Sequence, residues 1–168
     1  MKYLTTRRVV RIAIIAALYA VLTVALSPIS FGPVQFRVSE ALKVLVLFDP
    51  WMILGIGIGT FFANLASPFA GPWELIWMPF TDMLGGLIAW AIFNYLLKRK
   101  LPVIPMVPYA LTTGLAVGLM LNIMGQGDLW PLALGVAVSE LVILILAVPL
   151  MLFIEKQLQA RGIGFNQK

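Results

Sequence analysis

The sequence contains neither cysteine nor histidine. Without cysteine there are no disulfides, thiolate metal sites or thiol nucleophiles, and without histidine the commonest metal ligand and general base is also missing. Charge is scarce too: 11% of the 168 residues are charged and 61% are hydrophobic, with a mean hydropathy of +0.99. Soluble domains carry roughly 25% charged residues, so this chain cannot cover itself with a water-compatible surface. That excludes a soluble enzyme, a disordered regulator and a disulfide-stapled secreted domain. A P-loop, a His/Glu metal motif and a serine elbow are all missing from the sequence. The expectation is a single all-α integral membrane domain over residues 1–168, not an enzyme and without a cofactor, in which ATP-driven work falls to another chain.

What charge there is has a pattern. Lys2, Arg7, Arg8 and Arg11 precede the first apolar run, Lys98, Arg99 and Lys100 lie between two runs, and Lys156, Arg161 and Lys168 follow the last. Ten of the twelve basic residues therefore sit at three segment ends and form no stripe for nucleic acid. Under the positive-inside rule all three ends face the cytoplasm, and both termini with them. The first run is expected to remain as a helix rather than be cleaved as a signal peptide.

Uncharged runs place helices at about 9–27, 37–48, 51–66, 79–97, 105–123 and 132–155. Asp49-Pro50 breaks the chain between the second and third, since proline cannot continue a helix and restricts the residue before it. The stretch 67–78, with Pro68, Gly71, Pro72, Trp73 and Trp77, reads as a loop with interfacial aromatics. The architecture predicted is a polytopic bundle of six transmembrane helices, multi-pass in a prokaryotic cell membrane. The segment 37–48 is the shortest and carries Arg37, Glu40 and Lys43, so whether it spans fully is open.

A charge in hydrocarbon costs about 3 kcal/mol or more, so each one there needs a partner, a water-filled cavity or a function. The positions concerned are Arg37, Glu40, Lys43, Asn64, Asp82, Asn122 and Glu140, to which Trp73 adds an aromatic. In the six-helix order they fall toward the outer part of the membrane, as a small pocket open to the outside requires. Each also has a plainer reading. Arg37 and Glu40 can pair with one another, Asp82 can serve a helix N-terminus, and Asn64 and Asn122 can act as caps or interhelical hydrogen bonds. Glu140 has no cation within a turn or two on its own helix, so it reads as a ligand contact or a partner to Arg37 or Lys43.

Small residues four apart mark close helix packing. Gly55 with Gly59, and Ala110, Gly114 and Gly118, are expected inside the bundle. Ala13 with Ala17, and Ala16 with Ala20, can serve equally as an external docking face. Comparing 1–84 with 85–168 reveals no internal repeat, which weighs against a stand-alone secondary transporter without removing it.

The run Val34-Gln35-Phe36-Arg37-Val38-Ser39-Glu40-Ala41-Leu42 resembles the signature of the QueT family, substrate-binding (S) components of energy-coupling factor (ECF) transporters that take up queuosine precursors. The resemblance extends to the glycine-rich third helix ending in Asn64-Leu65, to the six-helix size and to the Ala-x-x-x-Ala pattern of the first helix. It implies an S-component-like fold, docking through Ala13, Ala16, Ala17 and Ala20 on an ECF transmembrane coupling subunit, and two ATPase subunits as further partners. The implied ligand is a small heterocycle, queuine or a deazaguanine precursor. One carboxylate can accept two N–H groups from such an edge, Arg37, Lys43 or an Asn amide can donate to its carbonyl, and Trp73, Trp77 or Phe36 can stack on its ring. An aminomethyl cation on the ligand calls for a second carboxylate. An S component for another vitamin is the alternative.

Overall fold

The computed structural model describes residues 5–31 and 35–165. Lys2, Gly32, Pro33, Val34 of the nonapeptide and Lys168 lie outside the described residues. Among the described residues every regular element is helical. The principal helices are α1 (Thr6–Ala25), the single turn α2 (Ser27–Ser30), α3 (Met52–Asn64), α4 (Met78–Ala91), α5 (Met106–Ile123) and α6 (Leu129–Ala160). Among the described residues, four stretches are long and apolar enough to cross a membrane: Thr6–Ala25, Trp73–Leu96, Met106–Ile123 and Leu129–Ala160. The protein is a helical membrane bundle.

Two local departures from the α-helix position the site. Val38–Leu47 is a 3₁₀ helix of 10 residues, where runs beyond three or four are uncommon. Side chains three apart eclipse in such a helix, so Glu40, Lys43 and Val46 share one edge with Arg37 just ahead of it. The tighter winding also stretches the segment to about 20 Å, against about 15 Å as an α-helix, which lets a short element reach far into the bundle. The second departure is at α4. A π-helical turn over Trp73–Trp77 leads straight into it, and another over Ile92–Leu96 ends it, making one continuous helix Trp73–Leu96.

Residues 73–78 are therefore helical and not part of a loop. The misreading has a cause: Pro68, Gly71 and Pro72 look like loop punctuation, yet a proline is also the favoured opening of a helix, and Pro72 immediately precedes Trp73. Pro79 has no N–H for the usual ladder bond, and the turn before it is the widened one. The early start puts Asp82 nine residues inside the continuous helix, which removes it from the dipole-favoured first turn.

The helices pack in the order α1, α3, α4, α5, α6, with the 3₁₀ helix touching α1, α3, α4 and α6 from within. Its residues Val44, Val46 and Leu47 are wholly buried, together with Met52, Ile56 and Met106. The expected small-residue contacts are found. A methyl group on Gly59 would lie 2.7 Å from Tyr19 Cβ of α1, and one on Gly118 would lie 2.6 Å from Ala133 Cα of α6. Carbon atoms do not approach so closely, so only glycine lets these backbones meet.

One end of the bundle gathers four chain segments. Arg11 of α1 donates to the carbonyls of Ile163 and Gly164 at 2.6 and 2.9 Å, and Arg8 lies over the Trp51 ring. Nearby, Asn94 donates to Leu47 O at 3.4 Å and accepts from Arg99 Nε at 2.9 Å. The described members of all three basic clusters thus lie at or beside this end.

Candidate functional site

Two cationic side chains from the 3₁₀ segment organise the interior. Arg37, at its start, is 6% exposed. Its Nε donates to Ser30 O at 3.3 Å, Nη1 to Asn64 Oδ1 at 3.1 Å and Nη2 to Gln35 Oε1 at 3.2 Å, while Glu74 Oε1 lies 3.9 Å away. The Phe31 ring lies beneath the guanidinium, with its centroid 5.2 Å off. Gln35 reaches Arg37 because its backbone is left-handed, with φ of 47°, an unusual state for a residue with a side chain. Asn64 completes the ring by donating to Glu74 O at 2.9 Å. A planar guanidinium with five donors is suited to joining four chain segments in this way, which a lysine is not.

Two turns further in, Lys43 is wholly buried. Its ammonium contacts Glu40 Oε2, Asp82 Oδ1 at 2.6 Å and Glu140 Oε1 at 2.9 Å, with Thr113 Oγ1 at 3.4 Å and the Tyr109 ring centroid at 4.9 Å. The ammonium donates hydrogen bonds to Glu140 and Thr113, while Glu40 and Asp82 face it as ion pairs. Further donors orient the acids: Tyr19 OH to Glu40 Oε1 at 2.8 Å and Thr60 Oγ1 to Asp82 Oδ2 at 2.6 Å. Asp82 and Glu140 lie nine and eleven residues from the near ends of their helices, about 14–16 Å at 1.5 Å per residue. The cluster therefore lies well inside the bundle, away from the near ends of both helices.

Beside Arg37, and bordered by the three acids that contact Lys43, lies a narrow cavity lined by Gln35, Arg37, Glu40, Asp82, Thr113 and Glu140, with Met78, Val117 and Val136 as apolar walls. Its open space is about 10 Å³, the room of one water. Around it, Arg37 and Lys43 face four buried carboxylates, Glu40, Glu74, Asp82 and Glu140, so acids exceed bases by two. A buried surplus of acceptors is costly unless protons or a donor-rich partner meet it.

Of the residues singled out from sequence, Arg37, Glu40, Lys43, Asp82 and Glu140 come together around this cavity, and Asn64 braces Arg37. Asn122 does not join them: it is exposed and donates to Gly127 O at 2.9 Å, tying down its own loop. Trp73 packs edge-on against Trp77 with centroids 6.1 Å apart, and both are about 40% exposed on the outside of the bundle, as is Phe36. None of the three lines the cavity. Tyr19, Thr60, Glu74 and Thr113 escaped sequence reasoning, and Gln35 entered only as part of the nonapeptide. Hydroxyls on apolar helices carry no charge signal, and Glu74 sat in the supposed loop; the i, i+3 step from Arg37 to Glu40 to Lys43 was the one visible trace of the 3₁₀ edge.

The alanine stripes divide. Ala16 is buried, with its carbonyl beside Gly59, and Ala20 is half-buried against the core. Ala13 and Ala17 face outward among Val10, Ile14, Leu18 and Val21. Helix packing consumes one stripe and leaves the other.

Comparison with known proteins agrees with the signature in the sequence. The family model described as QueT transporter matches residues 9–156. The queuosine precursor transporter QueT of Lactococcus lactis subsp. cremoris (strain MG1363) is 46% identical over 69 residues, covering 40% of this chain and 41% of that protein. No solved structure matches the chain.

Proposed function

The chain belongs to the QueT transporter family, and from that membership we propose that it is the substrate-capturing subunit of an ECF-type importer of a queuosine precursor. It binds the heterocycle from outside and works with a transmembrane coupling subunit and two ATPase subunits that drive uptake. The observation that carries the reading is the cavity beside Arg37, with the surplus of buried acids around it and Lys43. A deazaguanine edge offers an N–H and an amino group to one carboxylate, and an aminomethyl cation satisfies a second; Arg37 donates to the ring carbonyl. The cavity is too small for two fused rings, so binding requires its walls to part. Candidates for that movement are the 3₁₀ helix and the π turn at Trp73–Trp77, both of them irregular backbone of the kind found at functional sites.

Under this reading Ala13 and Ala17 form the docking face and the basic end of the bundle is cytoplasmic, with six crossings in a prokaryotic cell membrane. The role proposed is capture of a ligand rather than catalysis.

Equilibrium binding of deazaguanine precursors to purified protein tests the site. Glu40→Gln and Glu140→Gln are each expected to weaken binding at least tenfold, consistent with a loss of about 2–5 kcal/mol when one member of a buried charged contact is removed. Unchanged affinity in both variants, with unchanged thermal unfolding, overturns the assignment. Ala17→Trp is expected to abolish co-purification with the coupling subunit while ligand affinity is kept.

A further inference from the structure

A second concavity lies away from the substrate cavity, on the outer surface where α3 passes α4. It encloses about 890 Å³. At its basic end are Arg8, Asp49 and Trp51, and its walls are Ile53 and Leu54 of α3 with Met83, Leu84 and Leu87 of the facing helix. A shallower furrow, also walled by Leu54, Phe80 and Met83, continues it toward Phe61.

Three features bear on what fills it. The first is length: from Trp51 to Phe61 and from Trp90 to Phe80 are ten residues each, about 15 Å of helix. That is half of a hydrocarbon core of about 30 Å, the depth of one leaflet. The second is aromatic placement, because Trp51, Trp90 and Tyr95 all line the basic end, where amphipathic rings meet lipid headgroups. The third is charge. The Arg8 guanidinium lies 5.9 Å from the Trp51 ring centroid, and Asp49 is held in place by the Trp51 N–H donating to its Oδ1 at 3.1 Å. A half-exposed cation and a largely buried anion therefore both line the aromatic end of the apolar furrow.

The geometry points to a binding site for one phospholipid whose headgroup carries both a phosphate and a primary ammonium, the phosphate on Arg8, the ammonium on Asp49 and an acyl chain along the furrow. A primary ammonium can donate to Asp49, whereas a quaternary one has no N–H and a glycerol headgroup has no positive charge. The site is separate from the substrate cavity and does not depend on what that cavity binds.

Native mass spectrometry of the purified chain with phosphatidylethanolamine, phosphatidylcholine and phosphatidylglycerol of matched acyl chains tests this. Phosphatidylethanolamine is expected to be retained at about tenfold lower concentration than the others, the order of one charge-assisted hydrogen bond. Arg8→Gln is expected to weaken all three, and Asp49→Asn to remove only the advantage of phosphatidylethanolamine. Leu84→Trp fills the furrow and is expected to lower retention, whereas Leu146→Trp on the outer face of α6 leaves it unchanged; thermal unfolding checks that each variant folds. Equal retention of the three lipids by the wild type, or equal effects of the two tryptophans, overturns the site. So does the absence of any retained lipid, which assigns the furrow to a protein partner instead.

Discussion

Arg37 and Lys43 show how much depends on single side chains when charge is rare. Each is buried within a membrane bundle, and each meets oxygen atoms supplied by distant parts of the chain. Removing a carboxylate around Lys43 leaves the ammonium other partners, but removing Lys43 leaves three acids facing one another. Lys43→Met is therefore expected to destabilise the fold by about 3–5 kcal/mol, more than Glu140→Gln does, as measured by thermal or denaturant unfolding in detergent. Asp49, in the turn after the 3₁₀ helix, poses a smaller problem of the same kind. Burial raises its pKa above 3.8, against the opposing pull of the Trp51 N–H, Arg8 and Arg11. A raised native pKa means that the folded protein favours the protonated acid, so stability falls as pH rises from below 3.8 through the native value. Asp49→Asn keeps the oxygen that accepts the Trp51 N–H and is free of that loss; its unfolding temperature is expected to gain on the wild type over the same pH interval, and a constant difference contradicts this.

At the scale of elements, uncharged runs mark regions where helices are found, because hydrocarbon demands apolar side chains and internal hydrogen bonding over a fixed length. The fourth nevertheless starts at Trp73 rather than at 79, and the last extends over Leu129–Ala160. Backbone winding was less legible. Whether Val38–Leu47 closes i+3 or i+4 bonds depends on what surrounds it, and the period-three spacing of Arg37, Glu40 and Lys43 makes sense only once all three are known to share one buried polar cluster. Likewise Glu74 became visible only when Trp73–Trp77 proved helical. Helix contacts were easier to foresee, since a glycine at a crossing is a steric statement in itself. Gly114→Ala is expected to cost about 1–3 kcal/mol, as the added methyl would lie 2.5 Å from Ala137 Cβ and 2.7 Å from Ala133 O. Gly135→Ala, where a methyl meets nothing within 4 Å, is expected to be neutral or slightly stabilising. Similar losses in both would mean that the α5–α6 crossing is looser than described.

For the whole molecule, the absence of cysteine makes the proposed orientation directly measurable. Single cysteines in place of Arg99 and Asp128, at opposite ends of α5, are expected to react from opposite sides of intact cells, Asp128→Cys with a membrane-impermeant thiol reagent and Arg99→Cys only after permeabilisation. Labelling of both from outside contradicts six crossings with a cytoplasmic basic end. The sequence by itself determined the environment, the helical class and the grouping of basic residues, because transfer into hydrocarbon is a cost summed residue by residue and needs no knowledge of neighbours. The division of the polar residues was decided by tertiary structure alone. Packing set Asp82 and Glu140 on Lys43, left Asn122 on its loop, buried Ala16 and exposed Ala17. Those outcomes depend on the relative rotation of helices far apart in the chain, and electrostatic contact falls off too steeply with distance for sequence spacing to reveal it.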